Sequence, residues 1–183
     1  GDPCTGFHLL VYGQVKLSFT SAQGNEKIVE IVSQGQSFGE ALMFLDKPYV
    51  VSAQALTDTL LLHISKTVIF EELEHDHKLA RKMLASMGMR LHQLMNDVES
   101  YSLQSGKQRI IGYLLRELPE SDQNGTNVVL TLLSNKGDIA SRLNLTQEHF
   151  SRILNELSGL GLIVVEGKKI HISSVAKLRN HES

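Results

Sequence analysis

The sequence is poor in the features that mark most specialised classes. Among its 183 residues there are one cysteine, no tryptophan and three prolines. The single thiol, Cys4, excludes an internal disulfide framework and any zinc site built from several cysteines, and it points to a reducing, cytoplasmic setting. No run of about 18 apolar residues occurs, so no transmembrane helix and no membrane partner are expected. No charged-then-apolar leader is visible either. The net charge of −2 argues against a simple basic coat for nucleic acid. A supported Ser/His/Asp order, a metal-spaced His pair on a helix, a P-loop and a dinucleotide fingerprint are all missing, so the chain does not read as an enzyme. It begins on Gly1 and enters strand-like sequence by Phe7, so a natural segment upstream is expected.

What is present is ordinary globular material, 42% hydrophobic and 21% charged, enough for one or two small domains. The first 65 residues read as β. Val15, Leu17 and Phe19 alternate with Gln14, Lys16 and Ser18, the pattern of a half-buried strand with the apolar set inward. The polar stretch from Ser21 to Asn25 predicts a hairpin turn, with a return strand over Lys27 to Val32. Glycines at positions 6, 13, 24, 35 and 39, with later strands over Ser52 to Ala55 and Leu60 to Ser65, suggest a sandwich or barrel.

From Lys66 the composition favours helix. Leu84, Met87, Leu91, Leu94, Val98 and Tyr101 alternate at spacings of three and four, an a/d stripe. Such a stripe either packs on its own domain or forms a parallel two-helix seam. The narrow stripe and its polar flanks (Arg90, His92, Gln93, Asn96, Asp97, Glu99) favour the seam, hence a dimer. Ser105-Gly106 breaks this helix. The division read from the sequence is therefore 1–76 for a strand-rich unit, 77–105 for a dimerisation helix and 106–183 for a further domain. Residues 1–105 carry 8 basic and 12 acidic side chains, whereas 106–183 carry 10 and 8, so relative positive charge sits on the C-terminal module.

That module carries the strongest signal. Ile139, Ala140 and Leu143 predict the inner face of a short helix. Asn144 tolerates the left-handed backbone of a tight turn. Thr146 is placed to cap the next helix, whose apolar face is Phe150, Ile153, Leu154 and Leu157. Gly159 and Gly161 end it, and Ile163 to Glu166 with Lys169 to Ile172 predict a β-hairpin wing. Helix, turn, helix and wing form a winged helix-turn-helix, whose second helix enters a DNA major groove. Its outer face carries Gln147, Glu148, Ser151 and Arg152, which with Thr146 are the candidate DNA contacts. Arg can pair with guanine, Glu can accept from cytosine, and Ser can serve either. The plain alternative is an exposed Glu–Arg pair one turn apart.

The segments 7–17 (FHLLVYGQVKL), 35–44 (GQSFGEALMF) and 145–163 (LTQEHFSRILNELSGLGLI) resemble the Crp–Fnr family of bacterial transcription regulators. The Glu148-x-x-Ser151-Arg152 core looks like the recognition helix of the Fnr-type branch. The stretch FGEALMFLDKPYVVSAQA (38–55) looks similar to the Dnr-type, nitric-oxide-responsive branch. The resemblance implies an α+β fold: a cyclic-nucleotide-binding-like β-roll (a jelly roll), a long dimerisation helix and a C-terminal winged helix. It implies a homodimer on palindromic double-stranded DNA with TTGAT-like half-sites, and RNA polymerase as a further partner if the protein activates. Members that bind cyclic nucleotides place Arg-Ser or Arg-Thr after the Gly-Glu. Here Gly39 and Glu40 are present, but the matching pair is Val51-Ser52. Without the guanidinium the phosphate clamp is lost, which argues against cyclic AMP. With one cysteine an iron–sulfur cluster is disfavoured as well. Haem is the cofactor left open, with His63, His75, His77 and His92 in or near the sensor, and the metal-ligand set is unknown. The alternative function is a sensor of cyclic-nucleotide type that regulates a protein partner without touching DNA.

Overall fold

The computed structural model describes residues 1–24 and 26–181, grouped in two compact units, Gly1–Met95 and Asn96–Ser183. In the first, β1 (Gly6–Tyr12), β2 (Gln14–Thr20), β3 (Glu26–Ser33) and β4 (Ser37–Phe38) precede a short helix α1 (Glu40–Leu45). Then follow β5 (Ser52–Ala55), β6 (Leu60–Ser65), α2 (Lys66–His75) and the 27-residue α3 (His77–Leu103). Two antiparallel three-stranded sheets, ordered β4-β1-β6 and β3-β2-β5, make the β-roll. Leu10 and Phe38 from one sheet pack with Val15, Leu17 and Val32 from the other to form its core. Phe7, on the opposite face of β1, packs with Met43 of α1 and Ile69 of α2. The expected β2–β3 hairpin is present, although Asn25 in its turn lies outside the described residues.

Strand β2 departs from the simple alternation. Val15 and Leu17 are buried as expected, but so are Gln14, Lys16 and Ser18, while Phe19 is 47% exposed. The β2–β3 register shifts between Leu17 and Ser18, so the two-residue period breaks there. Two of these polar side chains share one partner: Lys16 Nζ and Ser18 Oγ donate to the two Glu26 carboxylate oxygens, each at 2.7 Å. Helix α1 was not legible. Its six residues are too few for a period, and it is bracketed by left-handed Gly39 (φ 101°) and Asp46 (φ 55°).

The second unit takes in the last turns of α3, then α4 (Gly106–Arg116), a 3-10 turn over Glu120–Asp122, β7 (Thr126–Thr131), α5 (Lys136–Arg142), α6 (Gln147–Gly159), β8 (Ile163–Glu166), β9 (Lys169–Ser174) and α7 (Val175–Asn180). Ser105 caps α4 in a reciprocal capping box with Gln108. The partition between the units falls ahead of this helix break, after Met95, because Asp97 and Tyr101 are fastened to Arg142 of α5. One core joins Ile110, Ile111 and Leu114 of α4 to Ile139 and Ala140 of α5, to the α6 face and to Ile163, Ile170 and Ile172 of the sheet. The wing is larger than a hairpin: β9 is the central strand between β7 and β8. No helix among the described residues is long and apolar enough to cross a membrane.

Candidate functional site

The turn between α5 and α6 is built as its residue types require. Asn135 caps α5: its Oδ1 accepts from the Asp138 amide at 2.8 Å and its Nδ2 donates to the Asp138 carboxylate at 2.6 Å. Asn144 takes a left-handed backbone, φ 57°, which reverses the chain within two residues. The Leu145 amide then donates back to the Ala140 carbonyl at 2.9 Å. The Thr146 hydroxyl accepts from the His149 amide at 3.2 Å and caps α6.

Helix α6 buries Phe150, Ile153, Leu154 and Leu157 and leaves Thr146, Gln147, Glu148 and Arg152 exposed, with Ser151 half-buried between them. All five residues singled out for DNA contact therefore share the N-terminal, outward part of one helix. Glu148 and Arg152 form no ion pair with each other among the described residues. Glu156, one turn further along, is taken by Lys107 of α4, whose hydrogen bond holds the Glu156 carboxyl below its usual range. Gln147 lies along the start of α5, where a side chain on Gly137 would come within 3.0 Å of its Oε1. The helix N-terminus adds partial positive charge, which suits phosphate.

Arg109 and Arg142, which pattern reading passed over, and Asp97, read only as a polar flank of the α3 stripe, support this arrangement. Arg109 donates to the Leu143 and Asn144 carbonyls, and Arg142 pairs with Asp97 at 2.8 Å. These contacts join residues about 35 to 45 positions apart, which no local spacing shows.

In the first unit Gly39 and Glu40 stand at the start of α1, and Glu40 is buried. Arg90 of α3 brings Nη1 to 3.8 Å from Glu40 and pairs with Glu30 of β3. The same Nη1 donates to the Ser37 carbonyl at 2.9 Å. Val51 packs on the roll core, whereas Ser52 is exposed on β5 opposite Ser18. The four histidines considered for haem are not assembled. His63 is on β6, His75 ends α2 with Nδ1 donating to the Glu71 carbonyl, and His77 and His92 are exposed on α3. Among the described residues no three of His, Cys, Asp and Glu cluster as metal ligands. His8 was missed. It lies opposite His63 across β1 and β6, rings 5.0 Å apart, and stacks on Phe38 at 5.1 Å. Burial first, then the neighbouring His63, lowers its pKa, while Glu40 opposes them.

Along α3, Leu84, Leu91, Leu94 and Val98 are exposed. Met87 is half-buried and, with Phe44, Leu73, Ala80, Met83 and Leu84, lines an apolar cavity of about 270 Å³. Tyr101, the sixth stripe residue, differs: its hydroxyl is engaged with Arg142 inside the second unit.

Comparison with known proteins agrees with both halves. Residues 1–76 match the cyclic nucleotide-binding domain model and residues 108–181 the Crp-like helix-turn-helix domain model. A protein from Ruegeria pomeroyi named for cyclic nucleotide binding is 30% identical, covers 99% of this chain and 78% of its own, and superposes with a TM-score of 0.68. The chain belongs to the Crp–Fnr family of transcription regulators. Among curated relatives, the anaerobic regulatory protein of Pasteurella multocida is 26% identical across 97% of this chain. The match spans 65% of that relative's length. FixK2 of Bradyrhizobium japonicum shares the fold, with a TM-score of 0.84, 21% identity, and coverage of 100% of this chain and 89% of its own.

Proposed function

We propose that this Crp–Fnr chain acts in the cytoplasm as a homodimeric, sequence-specific regulator of transcription, with α6 reading the major groove and the β-roll sensing a small ligand or a redox or nitric oxide signal. The observation that carries the reading is the outward face of α6: Glu148, Ser151 and Arg152 point away from a fully packed core, and Arg152 closes no ion pair among the described residues. Arg152 supplies the guanine contact, Glu148 accepts from cytosine, and Thr146, Gln147 and Ser151 complete the surface. The stripe of exposed Leu84, Leu91, Leu94 and Val98, with half-buried Met87 among them, supports a two-fold seam, which sets half-site centres about 34–36 Å apart. The site is a palindrome with TTGAT-like halves, and RNA polymerase is the partner if the outcome is activation. Effector binding shifts a two-state population and re-aims the recognition helices.

The Dnr-like stretch 38–55 supports the nitric oxide signal. Gly39, Glu40, Val51 and Ser52 mark the effector pocket. Val51 on the apolar core, where cyclic-nucleotide binders carry Arg, supports a signal other than cyclic AMP. A calorimetric titration with cyclic AMP is expected to be silent.

Binding selection on randomised half-sites tests the reading. Arg152→Ala is expected to flatten preference at the guanine, a loss of about 1–3 kcal/mol of discrimination. Lys168→Ala and Lys169→Ala in the wing are expected to weaken all sequences alike and to reduce the salt slope by about one each. A chain that selects no sequence at all, yet binds a protein partner, would establish the sensor-module alternative.

A further inference from the structure

The helix-turn-helix turn leaves three successive main-chain carbonyls, those of Arg142, Leu143 and Asn144, at the C-terminal end of α5. Such groups are orphaned unless something donates to them. Here each receives a side chain from outside the motif. The Tyr101 hydroxyl donates to the Arg142 carbonyl at 2.5 Å. Arg109 Nη1 donates to the Leu143 carbonyl at 2.8 Å and the Asn144 carbonyl at 3.2 Å. The donors are linked: Arg142 Nη1 donates to the Tyr101 hydroxyl at 2.9 Å and pairs with the buried Asp97 at 2.8 Å, and the Arg109 guanidinium stands 5.9 Å from the Tyr101 ring centre. Asp97 and Tyr101 are on the last turns of α3, and Arg109 is on the first turn of α4.

The packing has the same direction. A side chain on Gly106 would stand 3.1 Å from Leu145 and 3.2 Å from Ile153, so the bare glycine lets α4 start directly against the turn and α6. Lys107 on the next residue pairs with Glu156 of α6. The recognition helix is therefore gripped at its preceding turn and on its flank by the end of α3 and the start of α4.

We infer that Asp97, Tyr101, Arg109 and Arg142 form a clamp that sets the angle between the end of α3 and the recognition helix, and so sets the half-site spacing the dimer accepts. The inference rests on the proposed function, because spacing has meaning only for a dimer joined along α3. These are positioning residues: none lies on the outward face of α6. A defined spacing needs this angle held in the DNA-competent state, the state that the effector equilibrium populates. A turn whose carbonyls were left to water would pivot cheaply, since each exchanged hydrogen bond has a small net value.

The test uses the full chain and DNA in which both half-sites keep the sequence the wild type selects while the spacer is changed by one and two base pairs. Tyr101→Phe and Arg109→Gln are expected to keep the guanine preference that Arg152 carries and to lose spacer discrimination by about fivefold to tenfold, the scale of one or two lost hydrogen bonds. A merely structural role would lower affinity at every spacer equally, and that result overturns the clamp. The charge swap Asp97→Arg with Arg142→Asp is expected to regain discrimination lost by either single change; no regain also overturns it. A DNA-free readout separates this inference from its parent: amide exchange at Leu145 is expected to speed by about tenfold in Arg109→Gln, with the wing strands unchanged. A wild type that selects no DNA sequence counts against the proposed function. Unchanged exchange at Leu145 counts against the clamp alone.

Discussion

Arg90 on α3 and Glu30 on β3, sixty residues apart in the chain, form an ion pair in which Arg90 Nε donates to Glu30 Oε2 at 3.1 Å. The same guanidinium stands beside Glu40, the acid that follows the Gly39 turn. The long helix is thus tied to the β-roll by a charge cluster rather than by apolar packing alone.

Removing Arg90 strands two carboxylates, one of them buried. Losing one partner of a buried pair typically costs about 3–5 kcal/mol, and the partial exposure of this cluster lowers that to about 1–3 kcal/mol. Arg90→Met is expected to destabilise the first unit by that amount in urea unfolding. Adding Glu40→Gln to it is expected to restore part of the loss, and a double-mutant cycle measures the coupling.

His8 makes the roll sensitive to acid. Its folded pKa is held below 6.5 by burial and by His63, so the unfolded chain takes up a proton first as pH falls. Stability is expected to fall as pH drops below about 6.5, because the unfolded state then binds more protons. His8→Phe, which keeps a ring against Phe38, is expected to lose less stability between pH 7.5 and 5.5, read from the urea midpoint at each pH.

Asn144 holds the helix-turn-helix turn in the left-handed region. Replacing it by a branched residue is expected to cost about 1–2 kcal/mol, whereas glycine should be tolerated. Comparing thermal unfolding of Asn144→Val and Asn144→Gly checks the sign. Equal melting temperatures would mean the turn has another conformation.

The exposed α3 stripe predicts oligomeric state. Leu91→Asp with Leu94→Asp would place like charges against their symmetry mates in a desolvated seam. The double variant is expected to sediment as a monomer and to lose DNA affinity, while its circular dichroism is unchanged. A dimer that persists would show that this face is not the interface.

The sequence by itself determined the elements whose signal is local. The α5–α6 turn was legible because Asn144, Thr146 and the apolar spacing of α6 each leave a mark within four residues, and the structure places all of them as read. The roll strands were legible from alternation in β2 and from the spaced turn glycines, up to the bulge in β2, where the register of pairing with the neighbouring strand β3 overrode the period and left Phe19 exposed. The tertiary structure alone decided the rest. The Arg90–Glu30 tie, the His8–His63 contact, and the carbonyls held by Tyr101 and Arg109 all join residues more than thirty positions apart. Each depends on which surfaces meet after hydrophobic collapse, and periodicity along one element carries no record of the element it will face.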